Sequence, residues 1–182
     1  MIEDVGYVIL KEFIDKETCE ELAEYMKELC VNGLVFKDKQ CPVSDSVFGA
    51  PRFDQLLRQL SVPLGAQIGK TLLPTYSYCR FYRAGEILAK HKDRNACEYS
   101  ATVTLASYDK EVWPFCVDNK KRIEISAQIG SVIIYKGCEL VHWRNRYQGA
   151  GQAQLMLHYV DADSPNAACI NDGRKAFGDF GF

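Results

Sequence analysis

Histidine is scarce in this chain. Only three occur in 182 residues, at positions 91, 142 and 158, and no two form an H-x-H pair. That disfavours barrel metalloenzymes that hold their metal with three or four imidazoles. Cysteine is plentiful but never closely paired. The eight cysteines, at 19, 30, 41, 79, 97, 116, 138 and 169, lie no closer than eleven positions apart, so no C-x-x-C metal or redox motif exists. No apolar run approaches the ~18 residues of a membrane span. The first residues, Met-Ile-Glu-Asp-Val-Gly, have neither the basic nor the apolar stretch of a secretory leader. The expected setting is cytoplasmic, with reduced thiols. There is no charge excess either. Twenty-two Lys and Arg against 24 Asp and Glu leave a net charge of −2, which gives no general pull toward nucleic acid or membrane. Repeats, low-complexity tracts and linkers are also missing.

What is present suits one domain, expected to span residues 1–182. A chain of this length buries roughly 70% of its extended surface on folding. The 47% apolar and 12% aromatic content excludes disorder. Residues 5–13 read as a buried strand. Asp15 offers an N-cap, and Cys19, Leu22, Ala23, Met26, Leu29 and Cys30 recur at helical steps up to Asn32-Gly33. Residues 34–49 read as a long loop or irregular strand. A second helix starts at Pro51, carries Phe53, Leu56, Leu57 and Leu60 on one face, and is expected to break or restart at Pro63 and run on toward residue 71. Helical support thus covers about 14–72.

From about 73 to 162 the texture is all β. Short Val-, Ile-, Thr-, Tyr- and Phe-rich segments fall at 75–83, 97–107, 112–117, 121–128, 131–136, 139–144 and 152–160. Turn residues separate them, which predicts a barrel or jelly roll with the helices on one outer face. The Gly- and Phe-rich tail, 171–182, either packs on the barrel or stays loose.

His91-Lys92-Asp93 and the later His142 supply two imidazoles and a carboxylate on separate strands, the ingredients of a facial triad for non-haem iron. Around them, Tyr78-Cys79-Arg80-Phe81-Tyr82-Arg83-Ala84-Gly85 precedes the motif. The hydrophobic strand Tyr99–Leu105 follows it, and Gly130-Ser131-Val132-Ile133-Ile134-Tyr135-Lys136-Gly137 leads to His142. In these features residues 75–160 resemble the Fe(II)/2-oxoglutarate-dependent dioxygenases, specifically the compact prolyl 4-hydroxylase-like group.

The resemblance implies a double-stranded β-helix (a jelly-roll or cupin-like barrel) braced by N-terminal α-helices. It implies His91, Asp93 and His142 as ligands of Fe(2+), with 2-oxoglutarate and O2 as cosubstrates and ascorbate as a reductant. The expected outcome is hydroxylation coupled to decarboxylation to succinate. Asp93 favours hydroxylation over halogenation, because related halogenases lack that carboxylate. Where the family places a cation for the far carboxylate of 2-oxoglutarate, this chain has Gly151, Gln152 and Ala153. Residues two apart share a strand face, so Arg144 is the first replacement beside His142 and Arg80 the second. Tyr82, Gln152 and Gln154 are expected to add hydrogen bonds. Arg94 either binds an acidic substrate group or pairs with Glu98, and Trp113, Phe115 and Trp143 are candidates for a substrate pocket. His158 is expected as a core histidine or a support behind the ligands. The substrate is expected to be a small molecule or short peptide, peptidyl proline included, with nucleic acid and membrane disfavoured. Another barrel metalloenzyme, or a ligand-binding barrel without catalysis, remains the alternative.

Overall fold

Side chains alternate between two environments along the central strands, and this alternation organises the molecule. A computed structural model describes residues 2–175. A short helix α1 (Ile2–Val5) and strand β1 (Tyr7–Leu10) precede helix α2 (Lys16–Val31). Strand β2 (Asp45–Phe48) and helix α3 (Pro51–Ile68) follow. The strands β3 (Leu72–Tyr82), β4 (Leu88–His91), β5 (Tyr99–Ser107), β6 (Phe115–Asp118), β7 (Arg122–Ile125), β8 (Val132–Lys136), β9 (Val141–Arg144) and β10 (Gln152–Asp161) complete two sheets. A kinked 3-10 segment, Pro165–Gly173, closes the described chain.

The larger sheet has the order β1-β8-β5-β10-β3-β2 and the smaller one β4-β9-β6-β7, with every pair antiparallel. This is the predicted jelly-roll arrangement. On β5, Tyr99, Ala101, Val103 and Leu105 face α2 and α3; on β10, Ala153, Leu155, Leu157 and Tyr159 do the same. They pack with Cys19, Leu22, Met26, Phe53, Leu57 and Leu64 from the helices. The intervening residues, Ser100, Thr102, Thr104, Gln152, Gln154 and His158, are buried and polar. They line the space between the sheets, where Phe115, Val117, Ile133, Tyr135 and Leu140 form a second, smaller apolar cluster.

The helices form for the expected reasons. Asp15 caps α2 by accepting from the Thr18 amide at 2.7 Å. The break expected at Pro63 does not occur, and α3 runs unbroken from Pro51 to Ile68. Proline removes the donor to the carbonyl four residues earlier; that residue, Gln59, is exposed, so water can serve the carbonyl. Tyr159 meanwhile donates its hydroxyl to the Leu57 carbonyl at 2.9 Å, tying the helix to β10. Of residues 34–49, the last few form β2, an edge strand of the large sheet. Strand β4 was not foreseen, because only Leu88 of its four residues is buried. The predicted segments at 112–117, 121–128 and 139–144 are shorter as strands. Residues 176–182 of the tail lie outside the described residues.

Gly130 turns the chain into β8 at φ +79°, and a Cβ there would sit 2.3 Å from the Ile14 carbonyl oxygen. The Ile14 amide in turn donates to the Gly130 carbonyl at 3.0 Å. Gly130→Ala is therefore expected to lower stability by more than the 1–2 kcal/mol or so of a left-handed alanine alone. Urea denaturation should read this as a lower midpoint with an unchanged slope.

Candidate functional site

Register brings the two motif histidines together. His91 ends β4 and is paired with His142 of β9, so their rings lie 4.2 Å apart between centroids. Two residues on, the Asp93 amide donates to the Gly137 carbonyl at 2.8 Å, which turns the Asp93 carboxylate toward both rings. Asp93 Oδ1 lies 3.6 Å from His91 Nε2 and 3.5 Å from His142 Nε2. The three donor groups fall within 4.8 Å of one another, a set able to hold a metal ion.

Each histidine has its other nitrogen engaged. His91 Nδ1 meets the Ala89 carbonyl at 2.8 Å, and His142 Nδ1 meets the Leu140 carbonyl at 2.9 Å. A carbonyl only accepts, so both Nδ1 atoms carry hydrogen; each Nε2 faces Asp93, donating to the carboxylate when its ring is protonated and offering a lone pair to a metal when it is neutral. Burial works against the Asp93 charge, but the hydrogen bonds from His142 and His91 outweigh it and hold the carboxyl well below the usual carboxylate range. His91 is shifted up, because its contact with Asp93 outweighs its own burial.

The second Asp93 oxygen is occupied. Ser100 Oγ lies 2.8 Å from Asp93 Oδ2 and 2.9 Å from His158 Nδ1. The carboxylate only accepts, so the serine hydroxyl donates to it and His158 Nδ1–H donates to the serine. Burial pushes His158 down to about 4, so the ring is neutral. Ser100 was not singled out from the sequence, although its inward position on β5 follows from the alternation. Gly137 was likewise missed as a constraint. A Cβ there would lie 2.2 Å from the Cys97 carbonyl oxygen and 2.5 Å from Asp93 Oδ2.

These groups open on a cavity of about 320 Å³ between the sheets. Arg144 reaches it from the same face of β9 as His142, and it is buried. Its guanidinium donates to the Trp113 carbonyl and lies among the rings of Trp113, Phe115 and Tyr82, 5.0 to 6.0 Å from their centroids. Among the described residues no carboxylate pairs with it, and burial lowers its pKa.

Arg80 also lines the cavity but is saturated. It pairs with Asp38, and it donates to Tyr82 Oη at 3.1 Å, Ser46 Oγ at 3.2 Å and Gln40 Oε1 at 3.3 Å. Gln154 lines the cavity and donates to Thr102 Oγ1 at 2.7 Å. Gln152 does not; its side chain bridges the Trp113 amide and Gln154. Phe115 and Tyr135 pack against His142. Cys97 lines the cavity with its sulfur 3.0 Å from the Tyr76 hydroxyl.

Two expectations for the pocket fail. Trp143 follows His142 on β9 and so faces the opposite side, under Lys90 at 4.3 Å and Arg122 at 5.8 Å. Trp113 sits behind the cavity wall against Tyr82 and Tyr147. Arg94 lies at the mouth, but its partner is Asp172 rather than Glu98. Glu98 instead accepts from Ser164 Oγ at 2.6 Å.

No family model and no curated protein matches the sequence, whereas solved structures match the fold. A prolyl-4-hydroxylase from Pseudomonas putida superposes with a TM-score of 0.74 at 14% identity, over 88% of this chain and 95% of that one. HygX from Streptomyces hygroscopicus, with nickel and 2-oxoglutarate bound, gives 0.71 at 13% over 89% and 85%. A Trichoplax adhaerens prolyl hydroxylase, in complex with a hypoxia inducible factor peptide, gives 0.71 at 13% over 88% and 86%. The chain therefore has the fold of the prolyl hydroxylases and other 2-oxoglutarate/Fe(II) oxygenases.

Proposed function

We propose that this chain is a non-haem iron oxygenase that couples decarboxylation of 2-oxoglutarate to succinate with hydroxylation of a small molecule or short peptide. The observation that carries this reading is the convergence of His91, Asp93 and His142, with each histidine offering Nε2. Two neutral imidazoles and one carboxylate suit iron(II) and leave positions free for other ligands. When bound, iron(II) with 2-oxoglutarate and O2 supplies the oxidation of an unactivated C–H bond. Ascorbate serves as reductant, and the cytoplasm is the proposed setting. Among the described residues no helix is long and apolar enough to cross a membrane.

The remaining roles belong to the protein. Arg144 is a buried guanidinium that pairs with no carboxylate among the described residues, in the same cavity as the three ligands. It receives the far carboxylate of 2-oxoglutarate, which satisfies both charges at once. Tyr82 and Gln154 supply neutral polar groups along that wall. Arg80 is fully engaged with Asp38 and its neighbours, so it shapes the wall instead of competing for the cosubstrate. Ser100 holds one Asp93 oxygen, leaving Oδ1 for the metal, and His158 holds Ser100. The rings of Phe115 and Tyr135 keep water from the His142 side.

The purified chain should consume 2-oxoglutarate and form succinate only with Fe(II), and His142→Ala or Asp93→Ala should reduce this to background. Unchanged turnover in both variants would sink the metal assignment. Tight zinc binding with indifference to 2-oxoglutarate would instead favour a different barrel metalloenzyme. Arg144→Gln is expected to raise KM for 2-oxoglutarate by about 10- to 100-fold, the worth of a charge-assisted bond. Ser100→Ala should weaken Fe(II) binding by roughly tenfold, as loss of a ligand's supporting partner does. Titration of the apoprotein with Fe(II) under nitrogen measures this directly.

A further inference from the structure

The cavity is lined by four cations, Arg80, Lys92, Arg94 and Arg144, against two carboxylates, Asp38 and Asp93. Asp38 is committed to Arg80. Asp93 belongs to the metal set, and Arg144 to the cosubstrate in the reading above. Lys92 and Arg94 remain, flanking Asp93 in sequence and lying at the mouth. Lys92 is exposed. Arg94 meets an acid from far along the chain: its two terminal nitrogens donate to the two oxygens of Asp172, each at 2.6 Å. This parallel, two-pronged contact is the geometry by which a guanidinium takes a free carboxylate. The Arg94 guanidinium also lies over Tyr76, 4.7 Å from the ring centroid, and Tyr76 lies against His158 at 4.4 Å. The cation is thereby held on the wall that leads to Asp93.

The segment that delivers Asp172 is anchored at both ends. Ser164 donates to Glu98, and Arg174 donates to Asp54 at 2.6 Å and to the Thr75 carbonyl at 2.9 Å. Between these anchors Asn171 and Asp172 take φ values of +60° and +51°. Asn and Asp tolerate that region better than other side chains, but normally as single residues, so two in succession carry a cost that the surroundings must offset. Asp172 thus presents its carboxylate to Arg94 at a conformational cost, in the place where a ligand entering the cavity would meet a cation first.

We infer that Arg94 is the docking cation for a carboxylate on the substrate, and that Asp172 occupies this place until the substrate displaces it. The substrate class is an acid, either a free small-molecule carboxylate or an acidic group on a peptide. Lys92 adds long-range attraction at the mouth, and Tyr76 provides the flat surface beside the bound group. This rests on the oxygenase reading for the reaction, but not for the binding.

The test uses the full chain loaded with Fe(II) and 2-oxoglutarate. Probes are amino acids paired with their primary amides, and short peptides containing glutamate paired with the same peptides containing glutamine. Two readouts are followed: probe-dependent succinate formation, and hydrogen exchange of residues 165–173. Acids should stimulate succinate formation at about tenfold lower concentration than their neutral partners, in line with one charge-assisted contact. They should also speed exchange in 165–173 as Asp172 is released. Asp172→Asn should lower the half-saturating concentration of acids several-fold without helping the neutral probes, and Arg94→Gln should erase the difference between the two sets. The amino-acid and peptide arms separate the two sources of the carboxylate. Equal responses to acids and neutral partners overturn the inference, and so does silence of both readouts across the panel. Acid-dependent exchange without any succinate would leave the carboxylate subsite standing and remove the oxygenase reading instead.

Discussion

A strand's side chains must alternate between two faces, and in the larger sheet each face has a different solvent. One side meets α2 and α3 and accepts only apolar groups. The other meets a cavity and tolerates polar ones. On β10 this rule reads directly as Gln152, Ala153, Gln154, Leu155, Met156, Leu157, His158 and Tyr159. A slip of one residue would put Leu155 and Leu157 into the cavity and His158 under the helices. The apolar contact with the helices therefore locks the register that aims Ser100, Gln154 and His158 inward. The same rule on β9 sets His142 and Arg144 on one side and Trp143 on the other.

The second constraint is electrostatic. Charges buried between the sheets need partners, and the chain supplies them unevenly. Asp93 has two imidazoles and a serine hydroxyl. Arg80 has Asp38, Ser46, Gln40 and Tyr82. Arg144 has a carbonyl and three aromatic rings, a weak substitute for an anion. The cavity is thus complete on one wall and in need of ligands on the other, as expected of a binding site whose charges are balanced only when it is filled.

Much of this was legible locally. The helical steps from Cys19 to Leu29, the cap at Asp15 and the strand texture after Pro74 each come from residues close in sequence. The spacing of His91 and Asp93 and the shared face of His142 and Arg144 needed only strand parity. What escaped was long-range. Asp38 reaches Arg80 across 42 positions, and Asp172 reaches Arg94 across 78; neither has a periodic signature. Pro63 was misread because the cost of a missing donor depends on whether water can replace it, which the sequence alone does not reveal. Strand β4 escaped because its neighbour β9, rather than its own hydrophobicity, holds it in place.

The thiols have a chemical consequence. All eight cysteines are free, and Cys97 brings its sulfur within 4.8 Å of ligand atoms of Asp93 and His158, beside the proposed iron centre, while Cys41 lies against Arg80. Burial pushes Cys41 up to about 12, Cys19 and Cys138 to about 11, and Cys97 higher still. Oxidants attack thiolates far faster than thiols. By keeping its sulfur protonated, the fold would let the proposed iron centre work beside a cysteine-rich interior with little self-inflicted damage. Hydrophobic packing here doubles as corrosion protection.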